Sequence, residues 1–166
     1  MPHRFDVDMG TAERKHRALS RALHPDKYVG AGERDRRTAL AKAVEVNEAW
    51  RIVRDPVRRA EALLKLRGLD PAEGREPKLT QEFLMEMLEL REALDDAKRA
   101  HDLKAVRAMA VDIQARVRDV EQALSEGFRR SDRDEGKVLV GRLGELRFFR
   151  RFLDEVSAIE DEFAAA

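Results

Sequence analysis

His24, Pro25 and Asp26 stand side by side in "RALHPDKYVG" (residues 21–30), in a chain that has 4 His and 5 Pro in all. Proline locks its own φ, so Pro25 presents the imidazole before it and the carboxylate after it in a preset orientation. Asp26 suits a charge-assisted hydrogen bond from an arginine of another molecule. Arg14, Lys15, Arg17 and Arg21 precede the tripeptide and Lys27 follows it. Such a cluster steers and rims an association that weakens with salt, although a run of this kind also serves as an ordinary solvated face. As a cation, His24 could also cap the end of the helix before it. The chemistry here is recognition.

No reaction centre competes with it. His3, His16, His24 and His101 form no HExxH or i,i+4 pair, and the chain has no Gly-rich phosphate loop. The few serines lie in no nucleophile elbow. The absence of cysteine excludes disulfides, thiol catalysis, Cys-ligated zinc and protein-held iron–sulfur clusters. The expectation is therefore a non-enzyme without metal or cofactor. Lys plus Arg and Asp plus Glu both number 33, so the global charge favours no polyanion. One Tyr and one Trp leave no stacking platform for nucleic acid. The start "MPHRFDVDMG" has no apolar leader and no run reaches membrane-spanning length, which predicts a soluble cytoplasmic protein with no membrane partner.

The elements that must hold the tripeptide are helical. Charged residues are 40% of a chain with few Gly and Pro, the profile of a long-helix protein. Over 11–23, Ala12, His16, Leu19 and Leu23 recur at helical spacing, with the basic residues off that stripe. Pro25 and "YVGAGE" end this helix and open a loop of about ten residues. A second helix over about 35–54 turns Leu40, Ala43, Val46, Trp50 and Val53 inward, so the pair should form an antiparallel hairpin. In "RDPVRRAEALLKLRG", Asp55 reads as N-cap, Pro56 as first helical residue and Gly68 as the close. "LDPAEGREPK" then marks a linker. The domains expected are 1–68, a linker over 69–79, and 80–166.

Three helices follow. One starts at N-cap Thr80. A second, about 102–128, alternates Val106, Ala110, Ile113, Val117, Val120 and Leu124 in a coiled-coil-like seam. After a turn at "RRSDRDEG" the last, about 135–162, turns Leu139, Leu143, Leu146, Phe149, Leu153 and Val156 inward; Gly141 and Gly144 weaken it slightly. Together they predict an antiparallel three-helix bundle, with no strand anywhere.

The helix after Thr80 carries apolar residues on two sides. At 100° per residue, Phe83, Met87, Leu90 and Leu94 share a core-facing arc. Leu84, Met85 and Leu88 point well away from it, among Glu89, Glu92 and Asp96. An uncovered apolar row edged by carboxylates is a docking patch, and methionine suits an adaptable one. Phe148, Phe152 and Ile159 sit far round from the inward face of the last helix. For Phe152 and Ile159, cover by the helix over 55–68 and exposure stand as equal alternatives.

These motifs resemble a known family. HPD between a basic helix and a long second helix is similar to the J-domain, the module that stimulates the ATPase of DnaK-type chaperones. HPD alone arises by chance in roughly one chain of this length in fifty. "VNEAWRIVRDPVRRAEALL" (46–64) and, more specifically, "FLMEMLELREALDD" (83–96) resemble HscB, the J-protein co-chaperone of iron–sulfur cluster assembly, over nearly the whole chain. The resemblance implies that His24, Pro25, Asp26 and the basic face meet an HscA-type chaperone in its ATP state and trigger hydrolysis. It further implies that the C-terminal bundle delivers the iron–sulfur scaffold protein IscU. Leu84, Met85, Leu88, Glu89, Glu92 and Asp96, with Phe148 of "ELRFF", match the family's scaffold-binding surface.

The match begins at "FDVDMG", without the aromatic-rich short helix that opens the family. The hairpin is thus expected to lack apolar cover and to be less stable than the bundle. The cysteine-ligated metal motif of some eukaryotic relatives is also missing. The alternatives are a general J-domain protein or a helical adaptor without an iron–sulfur role.

Overall fold

The computed structural model describes residues 4–69, 79–130 and 135–165. All regular elements among them are helical. The helices are α1 (Met9–Ala22), α2 (Glu33–Arg54), α3 (Pro56–Leu66), α4 (Gln81–Arg99), α5 (Leu103–Arg129) and α6 (Glu135–Ala165), with a 3₁₀ turn at Pro25–Tyr28. The expected linker falls almost wholly on 70–78, and the middle of the last turn on 131–134; both lie outside the described residues. The helices fall into two compact units, Met1–Leu63 and Leu64–Ala166, which divide inside α3.

The first unit is a hairpin of α1 and α2. Asp8 caps α1: its Oδ1 accepts from the Thr11 N–H at 3.1 Å and its Oδ2 from the Thr11 hydroxyl at 2.6 Å. That side-chain bond, followed by the backbone one and the charge of Arg14, holds the Asp8 carboxyl below its usual range. The α1 stripe is Ala12, His16, Leu19 and Leu23, as the spacing predicts, but none of α1 is fully buried and Leu19 is 48% exposed. The His16 ring stacks on Trp50 at 4.9 Å, and its Nε2 lies 3.2 Å from both Asn47 Oδ1 and Ser20 Oγ.

Leu40 is a correction. It is 60% exposed, and Ala39 is buried in its place. The covered arc of α2 runs through Ala39, Ala43, Val46, Trp50 and Val53; at 100° per residue Leu40 falls about 60° beyond its edge. Next to this thin core lies an open, mainly apolar groove of 440 Å³, whose lining includes Val7, Leu19, Trp50 and Val53. Arg59 ties down the segment at Phe5 that precedes α1. It donates to the Phe5 carbonyl at 2.7 Å and the Val53 carbonyl at 3.0 Å, with its guanidinium 5.1 Å from the Phe5 ring centre.

Both ends of α3 form as read. Asp55 Oδ1 accepts from the N–H groups of Val57 (2.8 Å) and Arg58 (3.2 Å). Gly68, at φ 76°, closes the helix through Gly68 N–H to the Lys65 carbonyl and Leu69 N–H to the Leu64 carbonyl, a Schellman pair.

The second unit packs α4, α5 and α6. Thr80 Oγ1 caps α4 by accepting from the Phe83 N–H at 3.2 Å, and Asp102 caps α5 through the Ala105 N–H at 2.9 Å. Between them His101 takes a left-handed φ of 53° and stacks on Phe163 at 5.0 Å. The core is dense: Met87, Leu94, Val106, Ile113, Leu124, Leu139, Leu143 and Leu146 are all at most 1% exposed. Gly127 lets α5 meet α6 closely, since a Cβ there would stand 2.6 Å from Leu139 Cδ2. Arg67 caps the carbonyl end of α5, donating to Phe128 O at 2.6 Å and Arg130 O at 3.1 Å. Leu153 is only half-buried, whereas Phe152 and Ile159 are buried, which removes exposure as a reading for that pair.

Candidate functional site

The tip of the hairpin starts with the end of α1. The Leu23 N–H closes on the Leu19 carbonyl, and His24 then takes an extended conformation, φ −62° and ψ 134°. That is the conformation a following proline demands. Pro25 opens the 3₁₀ turn, where its missing N–H costs nothing, and the Lys27 N–H returns to the His24 carbonyl at 3.0 Å. The Asp26 N–H donates to His24 Nδ1 at 3.3 Å, and the Asp26 carboxylate lies at the same distance from that nitrogen. Tyr28 reaches back to the Ala22 carbonyl at 3.4 Å. The tripeptide is therefore held by its own local bonds, while the Asp26 side chain stays 86% exposed. An exposed carboxylate on a stiff turn is arranged to accept a hydrogen bond from outside.

The basic residues separate into two places. Arg14, Arg17 and Arg21 are exposed on α1, within about 60° of one another and opposite the apolar stripe. Arg14 is steadied by donating to Thr11 Oγ1 at 2.7 Å, and Arg17 by Glu13 at 2.5 Å. Lys15 instead lines the groove. Lys27 lies in the 3₁₀ turn itself, exposed.

On α4 the two-sided reading is what the structure shows. Met87 and Leu94 are buried and Phe83 and Leu90 half-buried, whereas Leu84, Met85 and Leu88 are 48%, 52% and 51% exposed. Glu89, Glu92 and Asp96 are exposed too, and Asp96 holds Arg99. Phe148 of α6 is half-buried and lies edge-on to Phe83 at 5.8 Å. Sequence reasoning missed Arg91, whose guanidinium covers the Phe148 ring at 5.5 Å and approaches Glu155 at 3.7 Å. The clue was its place seven residues after Leu84, on the same side of the helix. What this face can do is dock an apolar counterpart with cationic edges.

Among the described residues no three His, Asp or Glu side chains gather as a metal site, and no helix is long and apolar enough to cross a membrane. A helical protein with a rigid charged tip and an uncovered apolar stripe is here one of the co-chaperone class, as its likenesses to known proteins show. The chaperone HscB from Vibrio cholerae has the same fold, with a TM-score of 0.84, 30% identity, and cover of 98% of this chain and 94% of the other. The human co-chaperone protein HscB superposes at TM-score 0.83 with 22% identity, over 94% of this chain and 76% of that one, a likeness of fold. Residues 79–157 match the family model described as the HSCB C-terminal oligomerisation domain. The co-chaperone protein HscB homolog of Shewanella oneidensis is 33% identical over 161 residues, 96% of this chain and 92% of its relative.

The chain belongs to the HscB family.

Proposed function

We propose that this protein stimulates the ATPase of an HscA/DnaK-type chaperone and brings it an IscU-type iron–sulfur scaffold protein as client. The tip His24-Pro25-Asp26, with Arg14, Arg17, Arg21 and Lys27 around it and Lys15 to one side, is the trigger. Leu84, Met85, Leu88, Glu89, Glu92, Asp96 and Phe148 take the scaffold. The observation that carries the reading is the row Leu84, Met85 and Leu88, three large apolar side chains each about half exposed on a helix whose other side is core. A row of this kind on a rigid support is a partner surface. Support for the trigger is the self-bonded HPD turn with its carboxylate left to solvent.

The test is ATP turnover of an HscA-type chaperone with this chain, with an IscU-type scaffold, and with both. The pair together should raise turnover most. His24→Gln should abolish the stimulation while leaving scaffold binding intact. Leu84→Ala, Met85→Ala and Leu88→Ala combined should lose the scaffold while the far-ultraviolet circular dichroism stays helical. A chain that binds the scaffold yet leaves turnover unchanged is an adaptor, and one that stimulates turnover without binding it is a general J-domain protein; either result overturns the reading.

A further inference from the structure

The chain has five methionines, and the four among the described residues stand in unequal surroundings. Met85 is 52% exposed in the middle of the apolar row, while Met87, two residues on, is 1% exposed and points into the bundle. Met109 is half-buried, and Met9, 36% exposed, has its sulfur 3.9 Å from Arg59 Nη2. A thioether reacts with peroxide at a rate set by access to its sulfur. Met85 thus offers an open sulfur in the place where a polar atom does most harm.

We propose that Met85 is a reversible oxidation site at which a hydroperoxide weakens docking of the scaffold. This rests on the scaffold-binding role given to the row above. The sulfur lone pair of Met85 attacks one peroxide oxygen, and an S–O bond forms as the O–O bond breaks. The departing hydroxide takes the proton of the transferred hydroxyl, leaving sulfoxide and water. Sulfur loses two electrons and the peroxide gains them. The product carries a strongly dipolar oxygen between Leu84 and Leu88. Leu88 and Glu89, its neighbours one turn on, bring no hydrogen-bond donor to it, and one turn back the only donor is the solvent-exposed Gln81 amide. The apolar centre of the counterpart brings none either, its cationic edges answering Glu89, Glu92 and Asp96. Docking therefore takes the oxygen out of water with at most the Gln81 amide in its place. Methionine sulfoxide reductases reverse the change, so the site can be reset.

The experiment treats the whole chain with hydrogen peroxide and removes the excess with catalase before any scaffold is added. Peptide mass mapping then follows each methionine, and titration with an IscU-type scaffold follows binding. Met85 should gain one oxygen well before Met87. Affinity should fall about tenfold or more in step with Met85 occupancy, and methionine sulfoxide reductase should restore it. The Met85→Leu variant, compared with its own untreated sample, should keep its affinity through the same treatment. Oxidation of Met85 without loss of binding overturns the proposal, as does a peroxide loss of equal size in Met85→Leu. If the untreated chain does not bind the scaffold, the docking role itself fails and takes this inference with it.

Discussion

The hairpin and the bundle use the same material, amphipathic helices rich in Ala, Leu and charged residues, and bury it to different depths. In the bundle, α5 and α6 place Val106, Ile113, Leu124, Leu143 and Leu146 at zero exposure. In the hairpin, the buried apolar residues are Phe5, Ala39, Ala60 and Leu63, two of them alanines, and a groove of 440 Å³ stays open beside Trp50. Each unit's outward surface follows from that difference. The hairpin has little apolar surface to organise, and its ordered feature is a charged turn fixed by proline and local hydrogen bonds. The bundle has a core that needs only one side of α4, which frees the opposite side to remain apolar and uncovered. Rigid polar recognition needs local bonding; an exposed apolar row needs a dense core behind it.

The largest test of the contrast is a matched pair of truncations. Leu143→Ala should cost about 2–5 kcal/mol, because α4, α5 and α6 cannot all relax into the space. Leu19→Ala, at a position already 48% exposed, should cost under about 1 kcal/mol. Urea midpoints for both variants measure this, with Trp50 fluorescence reporting the hairpin and circular dichroism the whole. Equal losses would break the contrast between the units.

Native-state hydrogen exchange sharpens it residue by residue. Amides in the middle of α5 and α6 should be protected at least about tenfold more than those of α1 and α2, a gap of about 1.4 kcal/mol in opening free energy. If α1 matched α5, the hairpin would be as stable as the bundle despite its open groove.

How far this could be read beforehand depends on what each feature needs. Caps need only residue type and place, so Asp55, Thr80 and Gly68 were visible in the sequence. Faces need the helical period, which is why the opposed sets on α4 and the α5 seam were legible from spacing alone. Depth of burial depends on neighbours that periodicity does not see. Leu40 lies within reach of the apolar arc of α2 and yet is exposed, because nothing packs over that edge. Phe152 and Ile159 could be read either way until the surrounding helices were in place. Lys15 and Arg91 are a third kind. One turned out to border a groove and the other to cover a ring, and both facts arise from a second element meeting the first.

A smaller effect is expected at Gly68. Its φ of 76° closes α3, the helix inside which the units divide. No atom stands within 4 Å of a Cβ placed there, so the strain in Gly68→Ala is that of the backbone alone. It should cost about 1 kcal/mol. Whether the cost appears in the hairpin transition or the bundle transition tells which unit depends on that cap. A variant as stable as the parent would mean the helix end is not part of either folded core.

The smallest effect concerns pH, and it acts in opposite directions in the two units. Asp8, which caps α1 in the hairpin, has its pKa lowered from 3.8 by the Thr11 hydroxyl and N–H and by Arg14. A carboxyl with a lowered folded pKa contributes stability that is present above its unfolded value and fades as pH falls through the folded one. Lys98 of α4 has its pKa raised from 10.5, chiefly by its hydrogen bond and ion pair with Glu162 of α6 at 2.7 Å, and further by Asp95 and Glu155. Its contribution is complete below the unfolded value and fades as pH rises through the raised one. Both groups are open to water, so the effects are small and should shrink with salt. Asp8→Asn should therefore flatten the acid limb of the Trp50 transition and leave the alkaline limb alone. Lys98→Met should flatten the alkaline limb of the bundle transition and leave the acid limb alone. Trp50 makes the first of these readable by itself, since the only tryptophan of the chain stands in the hairpin, stacked on His16. If Asp8→Asn changed both transitions alike, the two units would be unfolding as one, and the difference in their cores would have no counterpart in their stability.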